Sequence, residues 1–289
     1  MKKNSTLFFS LLFSAISCYA QVRITAVSQQ FQTLPAHLPA ADTLDSPHCM
    51  VYYRYFYPVD NFSGGFSEAE DLLTLQIGRT VCKTFSHDLH LWDRNLTYGE
   101  KNKFRFRANM VDYEIFRNYP TGRMTAQHRI PYSRILQGST QVVEYSEPVP
   151  QIEWTISGQT DSVGGYRCIR ADGRFGGRDW IAWFTPEIPF AVGPWKLGEL
   201  PGLILRAEDV SGDYRFEFDG ISTETEPIVC YDWHPVRMSK AKWQKIERRM
   251  YEHPMDYFSK NGEIKVLDMK THRPLDGEWK VRYNPLELE

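Results

Sequence analysis

The chain has 289 residues, a formal net charge of -2, and a composition that is 42% apolar and 14% aromatic. That length suits one large domain or two small ones, with ample material for a core. The balanced charge argues against the basic surface that nucleic-acid binding requires, and no apolar run beyond the N-terminus is long enough for a transmembrane helix.

The N-terminus reads as an export signal. Lys2 and Lys3 precede an apolar run over 6–16, and Cys18-Tyr19-Ala20 offers a small-x-small cleavage site. A signal peptide over 1–20 and a single mainly β domain over 21–289 are predicted. Lipidation of Cys18 is the rival outcome, but Ala15-Ile16-Ser17 lacks the Leu of a good lipobox. Four cysteines follow: Cys49, Cys82, Cys168 and Cys230. An exported chain permits disulfides among them, with the pairing left open, while buried free thiols are the alternative.

Val22, Ile24 and Ala26 alternate like a strand, and the prolines at 35 and 39 then break regular structure. Val51, Tyr53, Tyr55 and Tyr57 share one face of a predicted strand, as do Leu73, Leu75 and Ile77 of another. The run at Val111, Tyr113 and Ile115 ends in a turn over 118–122. Further strands are predicted around Ile152, Trp154 and Ile156, over 166–171 and over 178–185. A hairpin over 203–218 turns at Ser211-Gly212-Asp213. Ser239 is a candidate N-cap for an amphipathic helix over 240–251, with Trp243, Ile246 and Met250 on its apolar side. Asn261-Gly262 marks a last hairpin. The predicted architecture is mainly β: an antiparallel curved sheet, open barrel or sandwich, with the C-terminal amphipathic helix packed on it.

Residues 177–205 hold three Trp, four Pro and four Gly. They read as strand, rigid connector, strand. Prolines at 186, 189, 194 and 201 fix backbone angles, and Gly193 and Gly202 permit close approach. Such a connector serves as a structural corner, or as a binding surface offered by Trp183, Trp195, Lys196, Pro201 and Gly202. Trp180 and Trp183 lie three apart and so face opposite sides of a strand, one toward the core.

Gly198-Glu199-Leu200-Pro201-Gly202-Leu203-Ile204-Leu205 resembles the signature of the GLPGLI family, exported proteins of Bacteroidota. The likeness takes in Gly165-Tyr166-Arg167-Cys168-Ile169-Arg170-Ala171, then Trp180-Ile181-Ala182-Trp183-Phe184-Thr185-Pro186-Glu187-Ile188-Pro189 and Gly193-Pro194. Glu199 stands where the family has the first Gly of its name. If that Gly makes a left-handed turn, Gly198 takes over the role by a one-place shift. The resemblance implies export to the periplasm, outer membrane or beyond, and no activity.

Catalytic signatures are scarce. No HExxH, P-loop, GxSxG or dinucleotide fingerprint is present. His87, Asp88, His90 and Asp93 form the densest group of possible metal ligands, but no distant partner set completes it, and a polar strand-end loop is the simpler reading. Glu187 and Glu199 are a conceivable carboxylate pair flanking the connector. His234 is isolated. No catalytic set, metal or cofactor is predicted. The leading expectation is an exported, non-catalytic binding or assembly module of the cell envelope, with an envelope protein or an apolar ligand as partner. The alternative is an envelope hydrolase using a carboxylate or a His site.

Overall fold

In a computed structural model, residues 33–61, 65–105, 110–131, 139–254, 256 and 281–288 are described. The predicted signal peptide, the strand at Val22 and the Asn261-Gly262 hairpin lie outside these residues. So does Cys18.

Strong alternation and frequent turns give fourteen strands among the described residues: β1 (Ala41–Asp45), β2 (Pro47–Asp60), β3 (Phe66–Gly78), β4 (Val81–Ser86), β5 (Tyr113–Asn118), β6 (Arg123–Arg129), β7 (Val142–Pro148), β8 (Trp154–Val163), β9 (Tyr166–Phe175), β10 (Arg178–Thr185), β11 (Leu203–Asp209), β12 (Arg215–Ser222), β13 (Ile228–Tyr231) and β14 (Val236–Arg237). Twelve form one sheet in the order β14-β7-β6-β5-β4-β3-β2-β12-β11-β10-β9-β8. Every pairing in it is antiparallel except β14 with β7. The large sheet is not closed into a barrel, in keeping with the open, mainly β architecture predicted. The other two strands, β1 and β13, make a separate antiparallel ribbon.

One face of the sheet is the core face. Register carries Leu75 to Thr84, Ile115, Ala126 and Tyr145 on successive strands, and Tyr113 to His128 on the next row. This face is covered by the connector over 186–202, by the C-terminal helix α2 (Lys240–Glu252) and by residues 281–288. Ser239 caps α2 through its side chain, and Trp243 and Met250 are its buried anchors, as the periodicity predicts. Trp180 packs between Trp195 and Phe216, with centroids 6.0 and 6.1 Å away, and Tyr53 donates its hydroxyl to the Ile204 carbonyl at 2.8 Å.

The opposite face is covered in part by the β1–β13 ribbon and by a helix, α1 (His87–Tyr98). All six residues of β4 are therefore buried, Lys83 included. Its ammonium pairs with Glu114 at 2.9 Å and donates to the Val229 carbonyl at 3.0 Å.

Helix α1 corrects the expected polar loop at 87–93. Ser86 caps it, accepting from the Leu89 N–H, and Gly99 ends it in the left-handed conformation. The strand around Ile152 also differs: β8 starts at Trp154, and Ile156 is exposed. All four cysteines, Cys49, Cys82, Cys168 and Cys230, are free thiols, so none of the contemplated disulfides forms. Burial raises the Cys168 thiol to about 11, which leaves it inert at neutral pH.

Candidate functional site

The connector is tightly packed against the sheet. A Cβ at Gly202 would sit 2.1 Å from the Thr185 carbonyl oxygen, at a φ of 153° that L side chains rarely adopt. Gly193 lies against Ile204, and Gly198 lies against the Arg117 guanidinium. The left-handed turn does not shift to Gly198. It falls at Glu199 itself, with φ 67°. The Glu199 carboxylate pairs with buried Arg117 at 2.7 Å, and the same guanidinium donates to the Lys196 and Leu197 carbonyls at 3.0 and 3.3 Å.

The binding candidates of the connector therefore divide. Pro201 is exposed, and Gly202 is buried for steric reasons. Trp183 is half-buried beneath the Arg206 guanidinium, 4.9 Å from its ring, while Trp180 on the other side of β10 is fully buried. Trp195 and Lys196 are both buried and both line a cavity.

That cavity has a volume of about 200 Å³ and lies between the core face of the sheet, α2 and the C-terminal segment. Its wall is tyrosine-rich: Tyr55, Tyr57, Tyr113, Tyr145, Tyr214, Tyr251 and Tyr283 contribute, with Trp195 and Trp243. Its charged members are Asp60, Asp112, His128, Lys196, Glu247, Arg282 and Glu287.

The tyrosines arrive by strand alternation. Tyr55 and Tyr57 lie on β2, with ring centroids 4.8 Å apart and nearly parallel planes. Tyr113 of β5 stands opposite His128 of β6. The imidazole of His128 stacks on Tyr145 at 5.6 Å and meets Trp243 of α2 at 5.1 Å. Among the described residues, neither imidazole nitrogen has a hydrogen-bonding partner, and neither does the Tyr113 hydroxyl, although Tyr113 is only 8% exposed. Asp112 lies 3.4 Å from His128 Nδ1, which is within ion-pair range but outside hydrogen-bond geometry.

Two ionic arrangements border the cavity. Lys196, 1% exposed, is held by Tyr145 at 3.2 Å, by Glu287 at 2.7 Å and by Glu147. Lys240 of α2 also binds Glu287. This cluster ties the C-terminal segment to the sheet. Glu247 of α2 is different, because among the described residues its one hydrogen bond comes from the Tyr283 hydroxyl at 2.7 Å. Burial pushes its carboxyl above the ordinary 4.5, and Asp112 and Glu287 add to the rise. His128 and the Tyr283 hydrogen bond oppose it.

The other residues singled out from the sequence do not converge. His87 contacts Thr74 at 3.0 Å through Nδ1. Asp88 accepts from the Arg105 N–H, and His90 lies 3.8 Å from Glu226. Asp93, fully buried, accepts from the Ala36 N–H and pairs with Arg129. These four hold α1 and its neighbours in place. Among the described residues, no group of three or more His, Cys, Asp or Glu is arranged to hold a metal ion. Glu187 is exposed and accepts from the Arg167 N–H, while the Glu199 carboxylate is held by Arg117. His234 sits at the surface with Asp232.

Comparison with known proteins finds no matching family model and no matching curated protein. Among solved structures, the chain is similar to PNGF-II in its P21 form, with a TM-score of 0.45, 13% identity and 70% of this chain covered. The C2 form gives a TM-score of 0.44 at the same identity and coverage. The chain spans about a third of the length of those structures, 33% and 32%.

Proposed function

We propose that this protein is an exported, non-catalytic binding module of the cell envelope that takes a small ligand between its sheet and helix α2. Export is supported by the basic, then apolar N-terminus and by the resemblance of residues 150–210 to GLPGLI proteins. Binding is carried by one observation. Tyr113 and His128 line an aromatic cavity, and the Tyr113 hydroxyl and both nitrogens of His128 are buried with no hydrogen-bonding partner among the described residues. A buried polar group left unsatisfied costs roughly 1–3 kcal/mol, so such a cluster is expensive unless something else satisfies it. Aromatic walls with a few convergent polar groups are the usual make-up of a small-molecule site.

The test is recovery of the full chain from the envelope fraction of its native cell, followed by mass spectrometry of small molecules released on denaturation. A compound retained by the native protein and missing from a stably folded Tyr113→Phe, His128→Phe double variant supports the reading. Identical, compound-free extracts from both sink it.

The hydrolase alternative has one observation in its favour: Glu247, with its raised pKa, lies near His128 and Asp112, as an acid–base set would. Turnover of the retained compound, abolished in Glu247→Gln, would decide for it.

A further inference from the structure

The charge balance around the cavity narrows the ligand class. Lys196 is spent on Glu147 and Glu287, and Lys240 adds a second cation to that cluster. Arg282 gives its backbone N–H to Asp60 and is itself exposed. Asp112 and Glu247 have no Lys or Arg partner among the described residues; the one titratable group of opposite charge near both is His128. When both carboxyls are ionised, two negative charges face a wall of tyrosine and tryptophan rings; His128 is the titratable group of opposite charge beside them, and the exposed Arg282 is the other cation of the lining that Glu147 and Glu287 do not hold. Anions are repelled from such a place. A compact organic cation meets what it needs: carboxylates for the charge, ring faces for the surrounding carbon, and an unpaired hydroxyl on Tyr113 for a polar arm.

Resting on the reading of this cavity as a binding site, we infer that it takes a small organic ammonium ion, with its charged end toward Asp112 and Glu247 and its methyl or methylene groups against the tyrosine rings. The cavity has room for such a molecule, since a volume of 200 Å³ equals about half a dozen waters at liquid density. The acidic residues alone would not assign a ligand. The second observation is Tyr113, more than nine-tenths buried, lining the same cavity with its hydroxyl unpartnered among the described residues.

Calorimetric titration of the purified chain with choline and with its uncharged carbon isostere, 3,3-dimethylbutan-1-ol, separates charge from shape. The expected result is binding of choline, at least tenfold weaker binding of the isostere, and a loss of about tenfold in each of Asp112→Asn and Glu247→Gln, with thermal unfolding confirming that both variants fold. Equal binding of the two probes overturns the cationic ligand and leaves the cavity as a binding site. Binding of neither, or choline binding untouched in both variants, overturns the inference as well. The mass-spectrometric test then judges the binding module on its own.

Discussion

Glu199 is a non-glycine residue in a left-handed turn, and the anomaly has a physical resolution. Its φ of 67° is the conformation that glycine adopts without strain and other residues adopt at a cost. The cost is offset by the 2.7 Å ion pair to Arg117, whose guanidinium is buried and also braces the Lys196 and Leu197 carbonyls. The two effects can be separated. Glu199→Ala and Glu199→Gly both delete the carboxylate, but only the glycine relieves the backbone. Glu199→Gly is therefore expected to be more stable than Glu199→Ala by about 1 kcal/mol in urea denaturation. Equal stabilities would mean that the left-handed turn carries no strain here. The sequence exposes the anomaly at 199 but not its solution, because Arg117 is 82 residues away and only the register of β5 brings it beneath the connector.

At the scale of elements, strands whose outer face meets solvent or a thin cover were legible, because period-two alternation survives in them. β10 and β11 fall where the apolar pattern places them, and α2 begins at its predicted cap. β4 was illegible for the opposite reason. Both of its faces are covered, so Val-Cys-Lys-Thr-Phe-Ser shows no alternation. Helix α1 was missed because its buried side includes Asp88 and Asp93 rather than an apolar stripe. The signals that would have found it are the Ser86 cap and the Gly99 stop.

The buried Lys196 cluster sets the fate of another element, the C-terminal segment. Arg178 holds that segment through Asn284, Pro285 and Leu286, at 2.6, 2.7 and 3.1 Å, while Lys196 and Lys240 hold it through Glu287. Lys196→Met would leave Glu147 and Glu287 with Lys240 alone. A loss of about 2–4 kcal/mol is expected, because breaking a buried pair is costly and Lys240 compensates for part of it. Hydrogen exchange should report the release at the Leu288 amide, which bonds to the Gly176 carbonyl at 2.8 Å, before it reports any at the Val281 amide, which bonds to the Tyr251 carbonyl at 3.0 Å. Uniform loss of protection along the segment would refute a local clasp.

Across the whole molecule, the cavity draws on parts of the chain far apart in sequence, among them β2, the β5–β7 meander, the connector, Tyr214, α2 and the C-terminal segment. From the sequence, Tyr113 was one alternating residue among many and His128 had no evident partner. Their juxtaposition follows from the pairing of β5 with β6, and their isolation from water follows from the docking of Trp243. Of the residues favoured in advance, Trp195 and Lys196 reach the site, because the connector lies over the same face of the sheet.

This convergence predicts a pH-dependent weakness. Burial raises the Glu247 carboxyl above 4.5, its ordinary value, with Asp112 and Glu287 adding to the rise and His128 and Tyr283 opposing it. A carboxyl with a raised pKa in the folded state binds its proton more tightly there than when unfolded. The folded state therefore loses stability as pH climbs from about 4.5 through the folded pKa, and above that it carries the full penalty of an ionised Glu247. Glu247→Gln keeps an oxygen for the Tyr283 hydroxyl and removes the ionisation. It is expected to be more stable than the native chain at pH 8, with the gap closing as pH falls toward 4.5. Denaturation midpoints measured across that range decide the matter: a gap that is constant with pH, or of opposite sign at pH 8, excludes a strained carboxylate. If the gap behaves as expected and Glu247→Gln also loses choline, the strain and the binding have one origin. A negative charge is then held at a cost to the fold because the ligand needs it there.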